Sequence, residues 1–445
     1  VRIINARNLN GDRFSFDVVS GVIKNLNSQK ETLKSPNTIA LTAFSLLQNA
    51  KSDSIVLDAE GELIIPAALD MHVHSRSPGL TAKEDWHTLA KGAWRGGVVA
   101  VADMPNTIPP TMTRAAVLEK AKIAAESGLE FTLQLGVGSG NINQVAGLLT
   151  DPDLPLAALK VFYGRSTGDL MYDDLNTLGK SLPVDCKKLI VFHSEDQCGV
   201  DVNHAKFHAR THLTANRDFE VHSLIRDSAT AHASTKIILE WAEAYKRPVH
   251  IAHVSTPLEV EMVQAYKAKG LPITCEVAPH HVLFSTDDYA RLGPLVKMNP
   301  PLRSRAEKDA LLKLVGQGAV DIFATDHAPH LLSEKHQEVA KSPSGVPAVE
   351  LFYPLVFKIA EMTGLSSQKI LEMSASRPAE LFGFHTKGQL ADGFDGDFVW
   401  IRRENFLVRN EEVVSKCGWT PYDGFNLPVK VMGTWNRGKC VFLSK

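Results

Sequence analysis

Between residues 64 and 330 the chain repeats one pattern eight times, a short apolar run followed by a polar or amphipathic stretch. The runs are "LIIPAALDMHVH", "GVVAVADMP", "FTLQLGVG", "LAALKVFY", "KLIVFHSE", "RPVHIAHV", "ITCEVAPHHV" and "DIFATDHAPH". Several are continuous Val, Ile, Leu and Ala, as in strands buried on both faces. Between them, "RAAVLEKAKIAAESG" and "HASTKIILEWAEAYKR" place apolar residues at helical spacing. Strands alternating with helices form βαβ units, and eight of them predict an α/β fold, a (β/α)8 TIM-like barrel. A doubly wound open sheet would alternate in the same way. However, no glycine-rich phosphate fingerprint follows the first run.

Both ends of the chain break this rhythm. Residues 1–63 and 384–445 consist of short strand-like pieces and turn residues, such as "KGQLADGFDGDFVWI" and "VKVMGTWNRGKCVF". They predict a small β-sandwich domain built from both termini beside a barrel domain at 64–383. The stretch 27–53 is an insertion with no readable role. A length of 445 residues suffices for a barrel and an accessory domain.

A formal net charge of −2 supplies no field for nucleic acid or an acidic membrane surface. The basic residues form no stripe. Five cysteines, widely spaced and without CxxC, outline neither a disulfide framework nor a zinc ribbon. No apolar stretch approaches the roughly 20 residues that span a bilayer. The N-terminus shows no basic–apolar–small leader. The expected setting is the cytoplasm, and the expected partner is a small molecule. Association into a homo-oligomer stays open.

The strand ends carry the chemistry. Five of the eight runs finish in His, Lys or Asp: His72 and His74, Lys160, His193, His253 and Asp326. In a barrel these carboxyl ends form the active-site rim. Residues i and i+2 of a strand share a face, so His72 and His74 point the same way, with Arg76 two positions on. A lone His193 or His253 would be read as a hydrogen-bonded core histidine, and a lone Lys160 as a surface lysine with a buried stem. Converging on one rim, they suit zinc or a similar borderline ion with a position left for water. An ammonium repels a metal. Lys160 fits only as a carbamate formed with carbon dioxide, an anion able to bridge two ions. Asp326 both reaches a metal and can move a proton between an attacking water and a departing nitrogen. His204, His208, His212, His222 and His232 are read as facing water, and His280 and His281 as lying behind the ligands. The segment "LLSEKHQEVAKSPSG" after the eighth run is placed to act as a lid.

These residues sit in a wider set of motifs: "HVHSRSPG", "KED" at 83–85, "DMPNT" at 103–107, "LKVF", "HSED", "HIAHVST", "CEVAPHH", "NPPLR" at 299–303, "TDHAPH", "SRPAELFGF" and "KCGWTPYDG". Together they resemble the cyclic amidohydrolases of the amidohydrolase superfamily, and among them the dihydroorotases, over nearly the whole chain. The first motif departs from the family pattern at Ser77, where an acidic residue is usual. The resemblance implies two zinc ions, one held by His72, His74 and Asp326 and the other by His193 and His253, with carboxylated Lys160 as the bridge. It implies that Arg76, Asn106, Asn299 and His330 bind the substrate, chiefly its carboxylate. For Arg76 alone the plainer reading is an ion pair, and for the two asparagines turn positions beside proline. The implied reaction is the reversible cyclisation of N-carbamoyl-L-aspartate to L-dihydroorotate, a step of pyrimidine synthesis. The alternatives are an allantoinase, hydantoinase or dihydropyrimidinase, or an inactive assembly partner.

Overall fold

The computed structural model describes residues 1–28, 38–40, 56–166, 170–211 and 218–444. Eight parallel strands run in chain order around one sheet: Ala68–Val73, Val98–Asp103, Glu130–Gly136, Leu156–Tyr163, Leu189–Ser194, Val249–Ile251, Ile273–Val277 and Ile322–Phe323. Each expected apolar run overlaps one of them. Alternation divides the side chains into layers. Leu159, Val161, Ile190 and Phe192 pack outward in the large core between strands and helices. Ala100, Ala102, Ala158 and Val191 cluster with Ala375, Ala379 and Phe382, a small-residue interior met by the segment after the last barrel helix.

Local sequence signals start the outer helices. Thr256 caps Pro257–Ala268 and Ser304 caps Arg305–Gly316, each answered by a glutamate three positions later in a capping box. Asp85 caps Trp86–Arg95 in the same reciprocal way through Thr88.

The sheet closes into a barrel where the first strand meets the eighth. Val73 and His327 form a parallel bridge, and the His74 N–H donates to the His327 carbonyl at 2.8 Å. Below them, Thr325 donates both its N–H, at 3.0 Å, and its hydroxyl to the Asp70 carboxylate.

The terminal segments make a second, nine-stranded sheet, in which Leu63–Pro66 lies between Arg2–Arg7 and Phe398–Arg402. The first apolar run is therefore two strands. Leu63–Pro66 pairs antiparallel with Phe398–Arg402. At Ala67 the backbone turns from the terminal sheet, bonding Asp397, and Ala68 then bonds Gly97 of the barrel. Most of the 27–53 insertion lies outside the described residues.

Candidate active site

All six strand-end residues come together. His72, His74, Lys160, His193, His253 and Asp326 are buried and line one cavity at the carboxyl rim of the barrel. Donor atoms of His72, His74 and Asp326 lie within 4.8 Å of one another. Asp326 Oδ1 is 3.3 Å from His72 Nε2 and 3.1 Å from His74 Nε2. His193 Nδ1 and His253 Nε2 are 3.0 Å apart, and the His72 and His253 rings are 5.2 Å apart between centroids. Burial, reinforced by the Arg76 charge, pushes the His74 pKa well below its ordinary range. Burial does the same to His253. Neutral imidazoles are the form that ligates metal.

Among the described residues, the buried Lys160 Nζ has no hydrogen-bond partner. Burial lowers its pKa to about 8, against the pull of Glu276 and Asp326. A buried amine without an acceptor costs free energy. Near-neutral basicity also favours the unprotonated amine that reacts with carbon dioxide.

Three side chains aim the histidines, two of which sequence reading gave no role. Glu276 Oε1 accepts from His72 Nδ1, and its Oε2 accepts from His250 Nε2 at 3.0 Å. Burial opposes the Glu276 charge, yet the two histidines hold its carboxyl far below the usual carboxylate range. Glu195 Oε2 accepts from His193 Nε2 at 2.8 Å and from Arg226. Asn106 Oδ1 accepts from His74 Nδ1 at 2.7 Å. Such partners fix the ring and the tautomer so that the other nitrogen meets the metal. A strand-seven position facing inward, and a carboxylate two residues beyond His193, were the available signals.

Arg76 is buried and lines the same cavity. It sits on a turn fixed by Asp103, which accepts the Ser75 N–H at 2.6 Å and the Ser75 hydroxyl at 3.0 Å. Asp103 is itself paired with the buried Lys120 ammonium. Burial lowers the Arg76 pKa to about 10, which leaves the guanidinium charged at neutral pH. Asn299 also lines the cavity, and its Oδ1 accepts from His222 Nε2 at 2.9 Å. His222 is thus buried, not facing water as expected, because it ties helix Glu220–Ile225 to the Met298 carbonyl and the Asn299 side chain. His204 is exposed as expected, and the side chains of His208 and His212 lie outside the described residues. His232 is partly buried and contacts Thr256. His330 stands behind Arg76, 3.1 Å from its Nη2. Behind the cavity histidines, His281 donates to the Pro300 carbonyl at 2.9 Å.

Arg76, His253 and Asp326 all take positive φ, at 60°, 37° and 47°. Non-glycine residues seldom do so, and such conformations gather at functional sites. The segment read as a lid is fastened down. Lys335 Nζ donates to the carbonyls of Lys297 and Pro343 at 2.9 Å and of Gly345 at 3.0 Å. Gly345, at φ +136°, has no room for a Cβ, which would meet the Ala328 oxygen at 2.6 Å.

The family model for the amidohydrolase family matches residues 63–439. The chain belongs to the amidohydrolase family. This amidohydrolase is 35% identical over 406 residues to the dihydroorotase of Methanosarcina acetivorans, covering 88% of this chain and 84% of that one. It is 30% identical to the allantoinase of Bacillus velezensis, covering 91% and 88%. Its fold matches the L-hydantoinase (dihydropyrimidinase) of Arthrobacter aurescens with a TM-score of 0.87 at 22% identity, covering 99% and 95%. Family and relatives together support a cyclic amide hydrolase. Among the described residues, no helix is long and apolar enough to cross a membrane.

Proposed function

We propose that this amidohydrolase is a zinc-dependent dihydroorotase, interconverting N-carbamoyl-L-aspartate and L-dihydroorotate in pyrimidine synthesis. The observation that carries the substrate is Arg76: a buried, charged guanidinium lines the same cavity as the histidines and Asp326. Such a fork is suited to a carboxylate held beside the reacting amide. The donor set fits two zinc ions: His72, His74 and Asp326 would hold one and His193 and His253 the other, with Lys160, as a carbamate, able to serve both. The unpartnered Lys160 amine and the neutral imidazoles support that fit. Bound zinc supplies a water of lowered pKa and polarises the amide carbonyl.

The remaining work falls to side chains. Arg76, with Asn299 beside it, holds the substrate carboxylate and so orients the ring amide toward Asp326. His330 stands behind the guanidinium, 3.1 Å from Nη2. Asp326 faces the same cavity, which places its carboxylate to hold a proton in transit. In hydrolysis the water oxygen bonds to the amide carbonyl carbon and the ring C–N bond breaks. Asp326 takes the proton from the water and gives it to the departing nitrogen. Cyclisation runs the same transfers backwards.

The 30% identity with an allantoinase keeps a sibling activity as the second reading. An inactive partner fits poorly, because every proposed ligand position is filled and buried. The test is turnover of dihydroorotate beside hydantoin and allantoin, with zinc counted in the same preparation. Dihydroorotate is expected to be the preferred substrate by a wide margin, with two zinc ions per chain. Preference for a ring without a carboxylate would sink the dihydroorotase reading, and a zinc-free inactive preparation that zinc cannot restore would sink both.

A further inference from the structure

The neighbours of the His330 ring leave it a single neutral form. Lys83 Nζ lies 3.1 Å from Nδ1, and an ammonium has only protons to give. Nδ1 therefore presents its lone pair. On the other side, Nε2 faces the Ser344 carbonyl at 3.0 Å and Arg76 Nη2 at 3.1 Å. The carbonyl only accepts and the guanidinium only donates, so Nε2 can serve just one of them. The ring itself is uncharged, since burial and the Arg76, Lys335 and Lys83 cations push its pKa well down. A neutral imidazole with its lone pair at Nδ1 carries its proton at Nε2. That proton goes to Ser344, and the ring can no longer accept from Arg76.

We propose that Lys83 is a positioning residue for carboxylate recognition: by occupying His330 Nδ1 it fixes the Nε2–H tautomer and leaves the Arg76 Nη2 protons for the ligand. The inference rests on the reading of Arg76 as the carboxylate clamp. In the opposite tautomer, the Nδ1 proton would point at an ammonium and the Nε2 lone pair at a carbonyl oxygen, while Arg76 Nη2 would be drawn onto the ring. Glu334 keeps Lys83 in place through a 3.0 Å contact with Oε1. Its Oε2 is 3.8 Å from Nδ1, too far to claim a proton there. The His330 backbone and the Arg76 side chain are held by separate bonds. Trp419 Nε1 donates to the His330 carbonyl at 2.7 Å, and Arg76 Nε stays on the Pro329 carbonyl at 3.1 Å.

The experiment is 15N spectroscopy of histidine-labelled protein, with His330→Gln used to assign the ring signals. The wild type and Lys83→Arg, in which the neighbour remains a pure donor, should show one lone-pair Nδ1 and one protonated Nε2. Lys83→Met and Lys83→Gln should show both tautomers exchanging. In Lys83→Met the KM for dihydroorotate should rise about tenfold, near one charge-assisted hydrogen bond, with kcat changing far less. Lys83→Arg should recover most of the KM. An unchanged tautomer in Lys83→Met, or a fall in kcat matching the rise in KM, overturns the proposal. If the wild type does not turn over dihydroorotate, the activity assignment fails while the ring spectrum still decides the role of Lys83.

Discussion

Asn106 Oδ1 lies 2.7 Å from His74 Nδ1 and accepts its proton, which turns His74 Nε2 toward Asp326. The asparagine expected to touch substrate therefore supports a proposed metal ligand. Asn106→Ala should weaken metal retention by about ten- to a hundredfold, the usual cost of losing an orienting partner. Competition with a chelator measures it. Asn106→Asp keeps an acceptor and should retain more metal than Asn106→Ala.

Arg76 gives the opposite pattern. Arg76→Ala should raise the KM for dihydroorotate by about ten- to a hundredfold, as loss of a charge-assisted bidentate contact does. Its metal content should match the wild type, because no proposed ligand bonds the guanidinium. Steady-state kinetics with metal analysis checks both, and unchanged kinetics would remove the substrate assignment.

Lys160 predicts a covalent adduct. Protein equilibrated with zinc and 13C-bicarbonate should show a carbamate carbon resonance that is absent from Lys160→Met. The variant should also bind less zinc and lose turnover. A wild-type spectrum without that resonance would leave the bridge without its anion.

The Lys120–Asp103 pair is buried on both sides. Lys120→Met leaves Asp103 charged in the interior and should cost about 3–5 kcal/mol of stability. Denaturant unfolding measures it. Since Asp103 also fixes the Ser75 turn, the KM of this variant should rise as well.

Glu195 predicts a pH window. Burial opposes its charge, but Arg226 and the His193 ring hold its pKa at about 2, below the ordinary 4.5. A depressed carboxylate contributes its stability in full above the unfolded pKa and loses it as pH falls through the folded one. Unfolding free energy should therefore decline between the ordinary value and about 2, and Glu195→Gln should flatten that decline. Parallel curves for the two proteins would refute the assignment.

The barrel was legible because buried parallel strands need continuous apolar runs, and each run kept its strand. The proposed ligands were legible because His72, Lys160, His193, His253 and Asp326 interrupt those runs, although Lys160 lies inside its strand, which continues to Tyr163. Support for the ligands was not. Glu276 and Glu195 look like ordinary strand and loop carboxylates until the fold carries them to His72 and His193. His222 misled for the same reason. Sequence groups it with the polar stretch that holds His204, His208 and His212, although Val221, Leu224 and Ile225 flank it and its neighbours in space are Met298 and Asn299. The first run hid a change of sheet at Ala67, because both strands flanking it are equally apolar.

The seam between Val73 and His327 sets when this molecule becomes competent. Donors on the first strand wait, through the synthesis of some 250 further residues, for the partner that arrives last in the ring. Until Asp326 docks, a nascent or truncated chain holds these histidines without their carboxylate. Closure of the ring thus completes the cavity, and copies cut short before it are expected to be silent.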